Sequence, residues 1–223
     1  MSTVLITGAS RGIGRELVRQ YAASGWQVIA VARNSADLQA ISPLITVHTL
    51  DVTDRPAVHA LAATLRGQAI DVLIANAGIY GSTPGGLGAI DYASWEAVLR
   101  TNVLAPASFA EAFADNLAAS ERRLFAVISS GMGSIAETSG GCYAYRSSKA
   151  AVNMVVRNLA LDWQPRGIRA VALCPGWVKT DMGGPHAELT PEQSVTGLRA
   201  VIETIDDARS GRSFSWNGRE VPW

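Results

Sequence analysis

Short apolar runs rich in β-branched residues recur along the chain, and between them lie segments whose apolar residues repeat with helical spacing. Such runs predict strands of a parallel sheet, because these strands are buried on both faces and read as nearly continuous apolar stretches. The predicted strands are TVLIT from Thr3, QVIAVA from Gln27, ITVHTL from Ile45, DVLIA from Asp71, LFAVIS from Leu124, IRAVAL from Ile168 and a final RSFSW from Arg212.

The segments between these strands predict helices. In the first of them, Ile13, Leu17 and Tyr21 share one face, and Gly25 ends the helix. The last has a good start at Thr190, an N-cap residue that is followed by a proline. The remaining helices are predicted within residues 55–66, 91–123 and 147–163, and the range 91–123 is long enough for two.

Strand and helix therefore alternate over most of the length, which predicts an α/β fold. We expect residues 1–223 to form a single doubly wound Rossmann-type domain. Its sheet should have about seven strands, mostly or fully parallel, with helices on both faces. Ligands of such sheets bind at the carboxyl ends of the strands, so the loops after the strands are where chemistry is expected.

Charge and composition exclude several classes of partner. The formal net charge is zero, so the basic surface that nucleic acid or an anionic membrane requires is missing. No apolar run reaches membrane-spanning length, and MSTVLITGAS lacks the charged segment of a signal peptide, so we expect a cytoplasmic protein without a membrane partner. Only 17% of residues are charged, which is low and compatible with a subunit interface. A homo-oligomer, either a dimer or a tetramer that forms through residues 91–123 and 144–164, is therefore an open alternative.

The cysteines and histidines predict neither a disulfide framework nor a metal site. Cys142 and Cys174 are too few for a framework and lack metal-site spacing, so we expect free thiols. His48, His59 and His186 also lack the spacing of metal ligands.

The stretch TGASRGIG lies where the first strand gives way to the first helix. Gly8 permits a tight turn, Gly12 lets the backbone approach a pyrophosphate, and Gly14 allows the helix to pack closely. The helix N-terminus adds free N–H groups and the positive end of the helix dipole. The stretch predicts a dinucleotide site, although alone it also fits a plain strand-to-helix turn.

The spacing T-G-x-x-x-G-x-G resembles that of the short-chain dehydrogenases/reductases, and further motifs of that family follow in order. They are Asp51-Val52, Asn76-Ala77-Gly78, Asn102, Ser129-Ser130, Tyr145-x-x-x-Lys149 and Pro175-Gly176. The stretches SSGMGSIAETSGGCYAYRSSKAA, PGWVKTDMGG and GREVPW are most similar to the branch of sniffer-type carbonyl reductases and C-factor-like proteins. The resemblance covers nearly the whole chain and implies a bound nicotinamide dinucleotide.

By resemblance, the loops after the strands carry the cofactor-binding residues. They are Gly8, Ser10, Arg11, Gly12, Ile13, Gly14, Arg33, Asp51, Val52, Asn76, Ala77, Gly78, Tyr145, Lys149, Pro175, Gly176, Val178 and Thr180. In this set Asp51 and Val52 border the adenine, and Thr180 binds the nicotinamide carboxamide. From the residues alone, DVTD is as readily a helix start with Asp51 or Thr53 as the N-cap.

The end of the second strand selects between the two nicotinamide cofactors. An acidic residue there would bind the ribose 2′-hydroxyl and repel a 2′-phosphate. This chain has Arg33 at that place, and Arg11 in the glycine-rich loop offers a second guanidinium to the phosphate. We therefore predict NADP(H) as the cofactor. The alternatives are that both arginines are ordinary surface cations, or that Asp37 reaches the ribose.

Tyr145 and Lys149 are four residues apart, which places them on the same face of a helix. Lysine is rare in this chain, since only Lys149 and Lys179 occur among the 19 basic residues. A carbonyl accepts hydride more easily when an acid protonates its oxygen, and a nearby ammonium is expected to lower the pKa of a tyrosine for that purpose. Tyr143 is the competing tyrosine, but Ser147 stands four residues after it and supplies no cation.

Two further catalytic residues are implied by the resemblance. Ser130 binds the substrate carbonyl oxygen, while its neighbour Ser129 points to the opposite face of the strand. Asn102 holds a local helix distortion and a water that links Lys149 to solvent. Pro106 should kink or interrupt the helix in which Asn102 lies.

Residues 177–191 follow the sixth strand and are predicted to form a short mobile lid over the substrate, with Lys179 facing solvent. Together these features predict an NADPH-dependent enzyme that reduces the carbonyl of a small-molecule aldehyde or ketone. A dinucleotide-sensing regulatory or signalling protein without significant turnover is the alternative, and the intact catalytic set argues against it. An oxidative metabolic dehydrogenase is a third reading, which the predicted cofactor makes less expected.

Overall fold

Strands and helices alternate along the computed structural model, which describes residues 1–34, 37–82 and 87–223. The strands are β1 (Thr3–Thr7), β2 (Gln27–Ala32), β3 (Ile45–Thr49), β4 (Val72–Ala75), β5 (Leu124–Ile128), β6 (Arg169–Cys174) and β7 (Ser213–Ser215). The α-helices are α1 (Gly12–Ala23), α2 (Arg55–Thr64), α3 (Tyr92–Leu99), α4 (Ala105–Ala118), α5 (Tyr143–Asp162) and α6 (Pro191–Glu203). Short 3₁₀ turns lie at Gln39–Ile41, Gly131–Gly133 and Gln164–Arg166.

The strands form one sheet of seven in the order β3-β2-β1-β4-β5-β6-β7. Every pairing between neighbouring strands is parallel. The direction of winding reverses between β1 and β4, which is the switch point where ligands of such sheets bind. The predicted doubly wound, fully parallel Rossmann-type sheet is confirmed.

Helices cover the sheet on both faces. Side chains of β1 alternate between them: Val4 and Ile6 pack with residues of α1 and α6 in one apolar core. Leu5 packs on the other side with residues of α2, α4 and α5, including Phe109 and Val152. This division follows from the period of two in a strand, which sends successive side chains to opposite faces. None of the described helices is both long enough and apolar enough to cross a membrane.

Two local features differ from a uniform helix pattern. Helix α5 begins at Tyr143, earlier than the predicted 147, and its N-cap residue Cys142 has a left-handed φ of 46° and no capping side chain. The sequence therefore carries no capping residue that would announce this start. Between α3 and α4 the backbone forms a π turn at Arg100–Leu104, and Pro106 lies in the first turn of α4. The predicted interruption before this proline is confirmed.

Candidate active site

A cleft of about 710 Å³ lies at the carboxyl ends of the central strands, at the switch point. Most of the predicted site residues line it: Gly8, Ser10, Arg11, Gly12, Ile13, Gly14, Arg33, Asp51, Val52, Asn76, Ala77, Gly78, Tyr145, Lys149, Pro175 and Thr180. Four predicted residues do not line it, namely Asn102, Ser130, Gly176 and Val178.

The glycine-rich loop connects β1 to α1 with little space for side chains. Gly8 has a φ of 66°, and a Cβ there would lie 2.7 Å from Cα of Ala77. A Cβ on Gly14 would collide with the carbonyl oxygen of Gly8, so helix and loop approach as closely as predicted. No side chain caps the N-terminus of α1. The first-turn N–H groups of this helix therefore suit an anionic ligand.

Asn76 and Thr7 tie together the ends of β4 and β1. The Asn76 amide Nδ2 donates to the carbonyl oxygens of Thr7 (2.9 Å) and Gly8 (3.1 Å). In return, the Thr7 hydroxyl oxygen accepts from the backbone N–H groups of Asn76 (3.0 Å) and Ala77 (3.1 Å). These bonds fix the floor of the cleft. The role of Thr7 was missed, although the threonine that opens the T-G-x-x-x-G-x-G motif was the available signal.

The loops after β2 and β3 supply Arg33 and Asp51 to the cleft. Asp51 Oδ1 accepts from the backbone N–H (2.9 Å) and the hydroxyl (2.8 Å) of Thr53. These hydrogen bonds, and the nearby charge of Arg33, lower the pKa of Asp51. Asp37 is exposed and does not line the cleft.

The helix cap in DVTD belongs to Asp54. Its Oδ1 accepts from the backbone N–H of Ala57 at 3.1 Å, at the start of α2. The alternative that made Asp51 or Thr53 the N-cap is therefore wrong, because the helix begins one residue after Asp54 and not earlier.

Arg11 makes an ion pair across the cleft. Its Nη1 lies 2.8 Å from Oδ2 of Asp181, and both side chains are largely exposed. Arg11 thus lines the cleft as predicted, but its guanidinium is directed to the Asp181 carboxylate, which no sequence pattern predicted.

Tyr145 and Lys149 lie together on α5, in the cleft. Tyr145 is in the first turn and half-buried, and Lys149 follows one turn later. The Lys149 Nζ is 5.6 Å from the centroid of the Tyr145 ring. The same ammonium is buried and donates a hydrogen bond of 2.7 Å to the carbonyl oxygen of Ile128, at the end of β5.

The pKa of the Tyr145 phenol is raised to about 12, because burial disfavours the phenolate more than hydrogen bonding with the Ser130 side chain favours it. Burial also lowers the pKa of the Lys149 ammonium to about 8, against an opposing effect of Cys174. The expectation of a lowered Tyr145 pKa is therefore wrong for this arrangement, because burial outweighs any stabilisation of the phenolate by Lys149. Lys149 is directed to the Ile128 carbonyl, and desolvation decides the direction for both groups.

The two serines after β5 separate as strand alternation predicts. Ser129 is buried, and its hydroxyl donates to Oδ1 of Asn153 at 2.6 Å. Ser130 is half-buried, accepts from the backbone N–H of Met132 at 3.1 Å and interacts with Tyr145. Only Ser130 therefore has its hydroxyl on the side of the predicted acid.

Asn102 lies in the π turn and is only 1% exposed. Its Oδ1 accepts from the Ile79 N–H (2.9 Å), and its Nδ2 donates to the Ile79 carbonyl (2.9 Å) and to the Ser148 hydroxyl (3.0 Å). The side chain thus joins the loop after β4 to α5. Gly78 lies beside both groups, since a Cβ there would be 3.4 Å from Asn102 Oδ1 and 3.7 Å from Lys149 Nζ.

The predicted lid, residues 177–191, forms a loop up to the start of α6 at Pro191, and this loop hydrogen-bonds to itself. Val178 forms a bridge with Leu189, the Lys179 N–H donates to the Leu189 carbonyl at 2.8 Å, and Lys179 is exposed as predicted. Val178 is buried in this arrangement, and Gly176 packs so closely that a Cβ would lie 2.6 Å from the Leu189 side chain. Gly176 and Val178 thus contact Leu189 and are not among the residues that line the cleft, and their part in cofactor binding stays a prediction.

Two tyrosines flank Tyr145 in different ways. The Tyr80 ring stacks on the Tyr145 ring with centroids 4.6 Å apart, and the Tyr80 hydroxyl lies 3.0 Å from the Cys142 sulfur. Tyr143 instead contacts Trp95, with centroids 6.5 Å apart, and does not line the cleft. The place of Tyr80 was missed. Its position directly after the Asn76-Ala77-Gly78-Ile79 turn was the available signal.

The switch-point cleft, the glycine-rich loop and the fully parallel sheet define an α/β protein of the Rossmann type. Residues 2–189 match the family model described as short chain dehydrogenase. The chain belongs to this family.

Known proteins resemble the chain over most or all of its length. C-signal of Myxococcus xanthus is 46% identical over 155 residues, which are 69% of this chain and 93% of that protein. The carbonyl reductase Sniffer of D. melanogaster has a TM-score of 0.94 and 30% identity, with 100% of both chains covered. The NADPH-bound carbonyl reductase from chicken fatty liver has a TM-score of 0.92 and 32% identity, covering 100% of this chain and 99% of that one.

Proposed function

We propose that this protein is an NADPH-dependent reductase that converts an aldehyde or ketone to an alcohol. The observation that carries the proposal is that Tyr145 and Lys149 share one cleft with the glycine-rich loop, with Nζ 5.6 Å from the phenol ring centroid. A phenolic acid and a buried cation are thus placed where a dinucleotide loop also opens. The similarity to two carbonyl reductases supports the same chemistry.

The cleft suits a nicotinamide dinucleotide. Its volume of about 710 Å³ is that of a typical cofactor pocket. Gly8 and Gly14 keep side chains out of the loop, and the uncapped N-terminus of α1 suits a pyrophosphate. When bound, the nicotinamide supplies the hydride that reduces the carbonyl carbon.

Arg33 is the residue we assign to the 2′-phosphate of NADPH. It is exposed, lines the cleft and follows β2, at the place where an acidic side chain would repel the phosphate. Arg11 is less suited to bind the 2′-phosphate, because its guanidinium already pairs with Asp181. The chicken carbonyl reductase, which carries NADPH, supports this cofactor.

Tyr145 is the proton donor in this proposal. With a pKa of about 12, its phenol stays protonated at neutral pH, and an alkoxide is a stronger base than a phenolate, so proton transfer to the reduced oxygen is favourable. Ser130 orients the carbonyl oxygen from the same side. The Lys149 ammonium then stabilises the phenolate that remains, because a positive charge in a buried site acts strongly on a nearby developing anion.

Asn102 is a supporting residue in this scheme. Its amide holds the Ile79 backbone and the Ser148 hydroxyl, and it thereby fixes the loop that runs beside Lys149. In the proposed scheme Asn102 also helps to hold a water that links Lys149 to solvent and so completes a proton relay.

A signalling protein without significant turnover is the second candidate, and the 46% identity to C-signal favours it. Consumption of NADPH with a panel of diketones, quinones and aldehydes separates the two. The reductase proposal expects turnover with at least part of the panel. NADPH binding without any turnover would support the second candidate.

The Tyr145→Phe variant tests the acid directly. It should lower kcat by roughly 10²- to 10⁴-fold and leave NADPH binding unchanged. Tyr143→Phe is the matched control, because Tyr143 lies on the same helix outside the cleft, and it should keep wild-type turnover. Near-full activity of Tyr145→Phe would refute the assignment.

A further inference from the structure

We propose that Tyr80 is a positioning residue, which holds the ring of the proton donor Tyr145 in its reactive place by stacking against it. This inference rests on the reductase function proposed above. Tyr145 lines the cleft and Tyr80 stacks on it, so in this proposal Tyr80 acts through the Tyr145 ring.

Tyr145 lies in the first turn of α5, whose start has no side-chain cap. The N-cap residue of this helix, Cys142, has a left-handed φ of 46° and makes no side-chain cap. Gly140 and Gly141 precede it with φ values of 78° and 67°. Tyr145 belongs to the first turn after this start, so contacts from elsewhere in the fold must help to define where its ring lies.

The stacking geometry suits that task. The two ring centroids are 4.6 Å apart with an angle of 29° between the planes, which is within the range of favourable aromatic pairs. Each ring thereby blocks motion of the other along the line between them. The contact uses the face of the Tyr145 ring, so it leaves the hydroxyl available to interact with the Ser130 side chain.

Tyr80 is itself held on both sides along the chain. Before it, Asn102 binds both the N–H and the carbonyl of Ile79, each at 2.9 Å. After it, Gly81 packs so tightly that a Cβ would lie 2.7 Å from the Val98 side chain, and the Ser82 N–H donates to the Ser94 hydroxyl at 2.8 Å. The ring therefore projects from a fixed backbone.

The hydroxyl of Tyr80 adds a link to the start of α5 through its 3.0 Å contact with the Cys142 sulfur. Tyr80 thus contacts the start of α5 at Cys142 and the catalytic ring at Tyr145. A misplacement of a reacting group by about 1 Å can cost on the order of 10²-fold in rate, so loss of the stack should be visible in turnover.

Tyr80→Leu removes the stack, Tyr80→Phe keeps the ring without its hydroxyl, and Tyr143→Leu is the matched control at a neighbouring aromatic outside the cleft. We expect Tyr80→Leu to lower kcat by roughly 10- to 100-fold for every carbonyl tested, with KM for NADPH unchanged. Tyr80→Phe should restore kcat to within about threefold of wild type. Titration with NADPH gives the folded, binding-competent fraction, so a folding defect is not mistaken for a catalytic one.

Unchanged kcat in Tyr80→Leu would overturn the proposal. A rise in KM for aromatic carbonyls alone would also overturn it, because that result would make Tyr80 a substrate contact.

Fluorine NMR of fluorotyrosine-labelled protein reports on the Tyr145 ring without turnover, and the Tyr145 signal is assigned with the Tyr145→Phe variant. The Tyr145 resonance should shift and broaden in Tyr80→Leu but not in Tyr143→Leu. A wild-type protein that reduces no carbonyl would refute the reductase function, while the NMR comparison still decides whether Tyr80 holds the ring.

Discussion

Lys149 donates a 2.7 Å hydrogen bond from Nζ to the carbonyl oxygen of Ile128, which joins the first half of α5 to the end of β5. The ammonium is buried, and this burial lowers its pKa to about 8. The same bond directs the cation into the cleft, beside Tyr145. The charged form of Lys149 at the candidate site therefore lowers the free energy of unfolding, since a buried charge is unfavourable to the fold.

This cost predicts a pH dependence of stability. Because the folded-state pKa of about 8 lies below the ordinary value of 10.5, the unfolded chain binds more protons between these two values. The free energy of unfolding should therefore rise with pH through that window. Relative to Lys149→Met, the wild type should gain on the order of 2 to 3 kcal/mol between about pH 7 and about pH 10. Urea unfolding of both proteins at each pH measures the change, and a difference that stays constant with pH would contradict it.

The sequence was sufficient for features that depend on local periodicity. Most of the strands are apolar runs, and the strand bounds were predicted to within about a residue. Tyr145 and Lys149 could be paired because one helical turn separates them. The bond between Lys149 and Ile128, the Arg11–Asp181 ion pair and the Tyr80 stack join residues far apart in the chain, and no local pattern encodes them.

The pKa directions could not be predicted for the same reason. The opposite charges of a lysine and a phenolate suggest mutual stabilisation, but the extent of burial is a property of the packed fold and outweighs it here. Val178 shows the same limit. Its loop follows β6 as predicted, but its bridge to Leu189 joins residues eleven positions apart and could not be predicted from a local pattern.

Asn102 should be more important for turnover than an equally buried asparagine elsewhere. Asn102→Ala leaves the Ile79 N–H and carbonyl without their side-chain partner, and Asn116→Ala does the same to the carbonyls of Leu65 and Gln68. Each variant should lose about 1 to 3 kcal/mol of unfolding free energy. Only Asn102→Ala should also lower kcat, because only Asn102 supports the loop beside Lys149. Equal kcat values in the two folded variants would argue against that role.

Gly8 should be more sensitive to alanine than Gly25, although both have positive φ, of 66° and 80° respectively. The shared backbone strain costs about 1 to 2 kcal/mol. A Cβ on Gly8 also meets Cα of Ala77 at 2.7 Å, whereas nothing lies within 4 Å of a Cβ on Gly25. Gly8→Ala should therefore lose roughly 1 to 3 kcal/mol more than Gly25→Ala in urea unfolding. It should also weaken NADPH binding, and equal losses in both variants would show that the close approach is relieved by a small shift.

Arg33 should decide between the two nicotinamide cofactors. Arg33→Ala removes a cation that lines the cleft, and Arg15→Ala removes an exposed cation from α1 outside the cleft. A charge-assisted hydrogen bond contributes about 1.5 to 3 kcal/mol, so Arg33→Ala should raise the Kd for NADPH by roughly 10- to 100-fold. The Kd for NADH should stay within about threefold, because NADH lacks the 2′-phosphate that Arg33 is proposed to bind. Fluorescence titration of both variants with both cofactors measures this, and a parallel loss for NADPH and NADH would mean that Arg33 does not read the phosphate.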